Sequence, residues 1–477
     1  MVSEAVNACV EALDALILVI LPWLAGWILL SGLDDLWVDW LYLRELIRRK
    51  TSGVLSVVPK IDHWRTGEKR LAVFIPAWHE HAVIGRMLAY NLRAQRYAAF
   101  RVFVGVYPND EPTIAAVQGA RLDDSRVQLC LCPHDGPTSK ADCLNWIYQH
   151  MLLDEMARGV TYDGIVLHDS EDVIDPQELS VIAHELSTAG MVQVPVLPLA
   201  TPLSHLTHAV YCDDFAESQS KDLMARASAG GFLPSCGVGT GISRAAIEKL
   251  AERDGNRIFL PDCLTEDYEL GYRLHEIGER QTFLGFSSTQ RVATREFFPS
   301  NFRNAVKQRT RWITGIVFQG WERIGWGQNR RQAYWLWRDR KVLICAPLSV
   351  AANAIFFYGL ATFAWSAATG REWGLASALS WVAWAGLALQ LFRMATRTIA
   401  ASVIYGPLFA SFAPLRVFWA NLINVTALAG AVRRYATARY RREPLVWLKT
   451  EHSFPSLVAL SEATAGRGRA AWAGQGR

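Results

Sequence analysis

The sequence has no CxxC pair. Its eight cysteines stand at 9, 130, 132, 143, 212, 236, 263 and 345, without the His/Cys spacing of a zinc site. This argues against a disulfide framework and fits a reducing, cytoplasmic setting. Cys130 and Cys132 alternate within a strand-like run, which puts both on one face. An excess of charge of one sign is also missing. The 49 Lys and Arg stand against 45 Asp and Glu, a net charge of +4 that leaves no footprint for nucleic acid. Charged residues make up only 20% of the chain against 51% hydrophobic, too few for an ordinary soluble enzyme and too many for a chain lying wholly in a membrane. No internal repeat is visible. Glu4, Glu11 and Asp14 precede the first apolar run, with no Lys or Arg among them. No small-residue cleavage site follows, so this end does not read as a cleaved signal peptide.

What is present are long apolar runs, and 19 Trp crowd around them. Residues 15–33 are uncharged and long enough to span a bilayer. Arg44, Arg48, Arg49 and Lys50 follow, so the positive-inside rule places the N-terminus outside and the chain after residue 40 in the cytoplasm. Residues 51–340 hold no comparable run and read as soluble. The basic, aromatic stretch from Arg330 to Lys341 reads as an interfacial helix. Uncharged runs at 342–369 and 373–392 predict a hairpin with Arg371 and Glu372 outside and a return to the cytoplasm at Arg393 and Arg397. The stretch 398–432 fits two short spans with Arg416 outside, or a re-entrant or interfacial helix, since Arg416, Asn421 and Asn424 interrupt it. Either option leaves Arg433, Arg434, Arg439, Arg441 and Arg442 in the cytoplasm. The pattern divides the chain into an N-terminal helix with its basic flank (1–50), a cytoplasmic domain (51–325), interfacial and transmembrane helices (326–452) and a disordered tail (453–477).

Within the cytoplasmic block strand-like and helix-like segments alternate: strand 70–78 and helix 80–95, strand 100–107 and helix 113–122, strand 127–133 and helix 139–158, then strand 163–168. This predicts an α/β fold, a mostly parallel sheet with crossover helices flanked by transmembrane and interfacial helices. Ligands of such sheets collect at the carboxyl ends of the strands, and the chemistry-bearing residues stand there. Ile75-Pro-Ala-Trp-His-Glu80 ends the first strand. Asp110, after the second, suits the N–H of a pyrimidine base or an ordinary Asx turn. Lys140 opens a helix whose macrodipole disfavours it, so an anion such as a diphosphate is expected beside it. Asp169-Ser-Glu171-Asp172 groups carboxylates that a hard divalent cation would relieve. Thr265-Glu-Asp267 opens a helix, either as a cap with acids at the positive end or with Asp267 as a general base. Gln308, Arg311 and Trp312 share one helical face, where an amide, a guanidinium and an indole suit a sugar and a departing diphosphate.

Taken together these residues resemble the membrane-embedded family-two glycosyltransferases, those similar to cellulose and hyaluronan synthases, over roughly residues 65–450. The resemblance implies a GT-A-like fold. Asp169 and Glu171 match the acids of that family's DxD metal motif, with Glu in place of the second Asp, and imply a divalent cation, Mg or Mn. Asp267 matches the catalytic base of its TED motif. Gln308, Arg311 and Trp312 match its QxxRW motif, found in processive members. Asp110 looks like the uracil-contacting acid and Lys140 like the lysine of the KxxxLN-type segment; Glu80 lines the same donor pocket. A narrower likeness, to the phage-adsorption protein B type of inner-membrane glycosyltransferase, rests on His168-Asp-Ser-Glu-Asp172, on Phe215-Ala-Glu with Ser220-Lys-Asp222, and on Lys449-Thr-Glu-His452. It implies surface-polysaccharide synthesis in a bacterial inner membrane and an outer-membrane export or receptor partner. Longer members carry a cyclic di-GMP-binding domain, so this chain, ending soon after His452, is expected to lack that control.

The expected function is an inverting, processive hexosyl- or N-acetylhexosaminyl-transferase. It would move sugar from a UDP-linked donor to a growing exopolysaccharide and export the product. Two rivals remain open at this point, a non-processive transferase that loads a lipid carrier and a non-catalytic membrane scaffold or phage-receptor component.

Overall fold

The computed structural model describes residues 2–51, 69–286, 291–370, 372–378, 380–445, 454 and 455. Helix α1 (Val2–Thr51) contains the N-terminal apolar run. Then follow β1 (Leu71–Pro76), α2 (Ile84–Ala94), β2 (Phe100–Val106), α3 (Glu111–Asp123), β3 (Val127–Leu131), α4 (Lys140–Arg158), β4 (Gly164–Leu167) and α5 (Glu178–Glu185). Next come β5 (Met191–Gln193), β6 (Val196–Pro198), α6 (Leu206–Glu217), a π-helical turn over Ser218–Asp222, α7 (Leu223–Ser228), β7 (Thr240–Ser243), α8 (Arg244–Arg253) and α9 (Glu266–Glu276). The strands β8 (Gln281–Phe283) and β9 (Thr294–Glu296) precede α10 (Phe302–Trp312). That helix continues as a π-helix over Ile313–Gln319 and ends as α11 (Gly320–Ile324). The C-terminal helices are α12 (Arg330–Arg340), α13 (Val342–Thr369), α14 (Trp381–Tyr405), α15 (Pro407–Ala410) and α16 (Ala413–Arg441).

Seven strands form one sheet in the order β3-β2-β1-β4-β7-β5-β8. The expected parallel arrangement holds for β3, β2, β1 and β4, while β7 runs antiparallel to both β4 and β5. Alternate side chains of each strand feed opposite faces. Leu71, Val73 and Ile75 pack with Ile84, Met87 and Leu88 of α2 and Leu179 and Ile182 of α5. Ala72, Phe74 and Phe103 pack with Leu144, Ile147 and Met151 of α4 and with α8 and α9. With both faces covered, the functional surface is left at the strand ends. Cys130 and Cys132 both point inward while Leu131 between them is exposed, and all eight cysteines are free thiols.

Four helices are long and apolar enough to cross a membrane: α1, α13, α14 and α16. Polar pairing defines two levels along the first three. At one level Asp34 of α1 binds Lys341 at 2.9 Å and also Arg338, and Asp35 binds Arg393. At the other level Asp14 accepts a 2.8 Å hydrogen bond from the Tyr358 hydroxyl. Some twenty residues separate the two acids on α1, about 30 Å of helix and one hydrocarbon thickness. Helix α14 begins at Trp381, later than the expected 373, and runs past Arg393 and Arg397 to Tyr405. Arg371 falls outside the described residues, as do Lys449–His452 and most of 453–477.

The alternative of two short spans with Arg416 outside is overturned. Residues 413–441 form one helix, and buried Arg416 pairs with Asp213 of α6 at 2.6 and 2.7 Å. Further along α16, Asn424 accepts from Arg309 at 2.5 Å, the Ala427 carbonyl accepts from Thr310 at 3.2 Å, and Arg439 pairs with Glu322. The helix is thus bound to the α/β block at several points, and it also remains one of the four helices long and apolar enough to cross a membrane.

Candidate active site

At the carboxyl end of β1 the chain turns sharply through His79, a non-glycine residue with φ of 55°. Asp110 holds that turn, accepting from the His79 backbone N–H at 2.6 Å. The side chain of Asp110 is fully buried and braces the Trp78–Glu80 turn, whose Trp78 and Glu80 line the adjoining cleft. The cleft itself is small, about 70 Å³. Glu80, Lys140, Asp169 and Glu171 all line it, together with Trp78 and Tyr107. Four of the expected donor and metal residues, drawn from two strand ends and one helix start, therefore meet at one surface.

Lys140 is the joint of the site. Ser139 caps α4, its side chain accepting from the Asp142 N–H at 3.2 Å. The Lys140 ammonium then reaches Asp169 at 2.5 Å and Glu266 at 3.9 Å. Burial works against its charge, but Asp169 and then Glu266 outweigh it and hold the ammonium above its ordinary range. The compensation expected from a diphosphate is supplied here by carboxylates of the chain. A second, wider cleft of about 690 Å³ is also lined by Lys140, together with Glu266, Gln319 and Arg323.

Beside Lys140 lies the start of α9. Thr265 makes no side-chain capping bond, so the plain capping explanation of Thr265-Glu-Asp267 fails. Asp267 accepts from the Tyr268 N–H at 2.7 Å and abuts Gly237, where an added Cβ would lie 2.9 Å from Oδ2. Gly237 has φ of 77°, a second reason for glycine there. Burial raises the Asp267 carboxyl above its ordinary range, against the pull of Lys140 and Arg311. Glu266 is pushed up to about 7, by burial first and by Asp267 second.

The third component is α10. Arg311 donates to the Leu264 carbonyl at 3.2 Å, which fixes it next to the loop entering α9. Trp312 packs on Tyr211 and Phe215, with ring centroids 6.1 and 6.4 Å away. Gln308 keeps a buried Oε1 without a hydrogen bond. Arg309 pairs with Asp214 at 2.5 Å and lies over the Tyr211 ring on which Trp312 also packs, so Arg309 and Trp312 share a face of the helix. Asp267, Gln308, Arg311 and Trp312 all lie outside the walls of the two clefts.

One frame went unassigned in the sequence reading. His168 is fully buried between Asp172 at 2.8 Å and Glu178 at 3.1 Å. Burial opposes its charge, yet Glu178 and Asp172 raise it to about 9. Asp172 in turn accepts from the Asp169 N–H at 3.0 Å, so the frame sets the backbone that presents Asp169. The signal was a histidine at a strand end four residues before an acid; the distant partner Glu178 could not be read from spacing.

Among the described residues no three His, Cys, Asp or Glu side chains gather as a metal cage. Asp169 and Glu171 nevertheless line one cleft, and two carboxylates completed by phosphate oxygens are how Mg2+ or Mn2+ is commonly held beside a nucleotide. The residues fit such a cation.

A sheet with a parallel half, acids at its strand ends and a cationic joint between two clefts define a nucleotide-sugar type of transfer domain. Residues 69–315 match the model described as glycosyltransferase like family 2, and the chain belongs to that family. It is 34% identical over 456 residues to bacteriophage adsorption protein B of Escherichia coli K12, a match covering 90% of this chain and 61% of that protein. Bacteriophage N4 adsorption protein B of Escherichia coli O157:H7 matches at the same identity and coverage. The chain thus spans about three-fifths of the length of these relatives. Among solved structures, a mannosyltransferase of Pyrobaculum calidifontis in complex with GDP-Man and Mn2+ shares 18% identity, covering 83% of this chain and 99% of that one, with a TM-score of 0.46. Residues 1–349 of S. aureus TarS share 12% identity over 78% and 92% of the two chains, with a TM-score of 0.32.

Proposed function

We propose that the protein is an inverting, processive glycosyltransferase of a bacterial inner membrane. It takes a hexosyl or N-acetylhexosaminyl unit from a UDP-linked donor and adds it to a growing exopolysaccharide. The observation that carries this reading is Lys140, an ammonium set between Asp169 of the donor cleft and Glu266 beside Asp267. The donor diphosphate lies along the N-terminus of α4 over Lys140, with Glu80 on the nucleoside side. A divalent cation on Asp169 and Glu171 would neutralise charge on the departing diphosphate.

Asp267 takes the proton of the acceptor hydroxyl. The freed oxygen bonds to the anomeric carbon from the face opposite the leaving group, and the bond from that carbon to the phosphate oxygen breaks. The nucleoside diphosphate leaves with the electron pair, toward Lys140 and Arg311. One base opposite one leaving group performs a single displacement, so configuration inverts. Gln308 and Trp312 hold the acceptor end. Helices α1, α13 and α14 span the bilayer, with the N-terminus periplasmic and the catalytic domain cytoplasmic. The elongating chain leaves through them toward an outer-membrane export or receptor partner.

The test supplies the full chain in detergent with Mg2+ or Mn2+ and a panel of UDP-sugars, reading UDP release, product length and anomeric configuration. Release with one donor and a ladder of long, inverted products is expected. A single-sugar product would return the reading to transfer onto a lipid carrier, and absence of release from folded protein would favour a scaffold.

A further inference from the structure

The loop that leads into Asp267 has no regular secondary structure, yet Ile258, Phe259, Cys263, Leu264 and Thr265 within it are buried. Its backbone groups must find partners elsewhere. They find them on two helices that approach from opposite sides. From α4, Asn145 donates to the Phe259 carbonyl at 2.7 Å and accepts from the N–H groups of Ile258 at 3.1 Å and Phe259 at 3.0 Å. From the π-helical segment after Trp312, Gln319 accepts from the Leu264 N–H at 2.9 Å and donates to the Asp262 carbonyl at 2.6 Å. Gln319 is only 7% exposed.

The same segment makes two more contacts with the loop. Arg311 donates to the Leu264 carbonyl at 3.2 Å. A Cβ on Gly315 would come within 2.6 Å of the Thr265 side chain, so only glycine allows this approach. Arg311, Gly315 and Gln319 thus form one stripe along the widened helix, all meeting residues 262–265. The local π geometry over Ile313–Gln319 is a feature that often marks functional sites. Gln319 uses one donor and one acceptor of a single side chain at once. A carboxylate lacks the donor and a thioether lacks both strong groups, so an amide is specifically required.

We infer that Gln319 is a positioning residue for the reaction. It fixes the backbone from Asp262 to Leu264 so that Asp267 meets the acceptor at the correct distance, with Asn145 anchoring the other end of the loop. The inference rests on the proposal that Asp267 is the base.

The experiment compares the full chain with Gln319→Met, Gln319→Glu and Asp267→Asn. It measures turnover and KM with the UDP-sugar that supports release, UDP affinity, and amide hydrogen exchange. Gln319→Met is expected to lower kcat about a hundredfold, the scale of a small misplacement at a reacting centre. KM and UDP affinity should stay within about twofold, as loss of orientation without loss of donor contacts requires. Exchange should rise across 258–267 and not in the sheet. Gln319→Glu keeps the acceptor for the Leu264 N–H but sets a buried carboxylate oxygen against the Asp262 carbonyl, and should lose at least as much. Parental turnover in Gln319→Met with an inactive Asp267→Asn would overturn the positioning role alone. A drop in UDP affinity matching the drop in rate would do the same, marking Gln319 as a support of the donor cleft. Full activity of Asp267→Asn would instead remove the base assignment, and this inference with it.

Discussion

Glu266 carries an electrostatic cost that a titration can expose. An ordinary glutamate carboxyl loses its proton near 4.5, whereas Glu266 keeps it to about 7, through burial first and the neighbouring Asp267 second. Between those values the folded chain binds more protons than the unfolded one, so this group's contribution to stability falls as pH rises through the window. Glu266→Gln removes the charge and keeps the shape. We predict equal unfolding midpoints for the parent and this variant near pH 4.5, and a more stable variant at pH 8, by up to about 3 kcal/mol. Equal stability at both pH values would show that Glu266 titrates like a solvated acid. At this scale Lys140, Asp169, Glu171 and Asp267 were legible because each is a charge at a strand end or helix start. The roles of Asn145, which ends the KxxxLN-type segment, of Gln319, and of His168, which opens the acidic run, were not. Their partners lie 113–114, 55–57 and 10 residues away for the contacts with the 258–264 loop and with Glu178, and only the fold brings those groups together. At the β2 end Asp110 fits a base contact and a turn strut equally by residue type; its bond to the His79 N–H shows the strut, and the base contact stays a proposal.

The elements join the α/β block to the apolar helices through buried ion pairs. Arg416 of α16 and Asp213 of α6 are 4% and 1% exposed and meet at 2.6 Å. Removing one member leaves the other buried and unpaired, which costs about 3–5 kcal/mol, while replacing both by apolar groups of similar size is close to neutral. Arg416→Met should therefore lower the unfolding midpoint in detergent, and Asp213→Leu added to it should recover most of the loss. A double variant no better than the single would mean that the pair does not dock α16. Periodicity found the strands of the sheet's parallel half and the helices between them, since those repeat at 2.0 and 3.6 residues. It did not resolve 398–432. Arg416, Asn421 and Asn424 look like interruptions of a span, but Arg416 and Asn424 are the groups that bind Asp213 and Arg309.

For the whole molecule the account places the two levels of polar pairing on α1 at the two faces of a bilayer. In the proposed topology the Asp14–Tyr358 pair lies on the outer side and the Asp34–Lys341 pair on the side of the α/β block. Cys9 is an exposed thiol at the Asp14 end. A membrane-impermeant maleimide should label it in intact spheroplasts, with Cys9→Ser abolishing the signal; labelling only after lysis would reverse the orientation. The central claim, that sugar transfer is driven by a base at Asp267 beside a donor cleft joined by Lys140, is tested most directly on one variant. Turnover and donor affinity should be measured together for the full chain and for Asp267→Asn. The account predicts that Asp267→Asn binds the donor as the parent does and loses at least about a hundredfold in UDP release, the usual worth of a general base. Parental turnover in Asp267→Asn would contradict it.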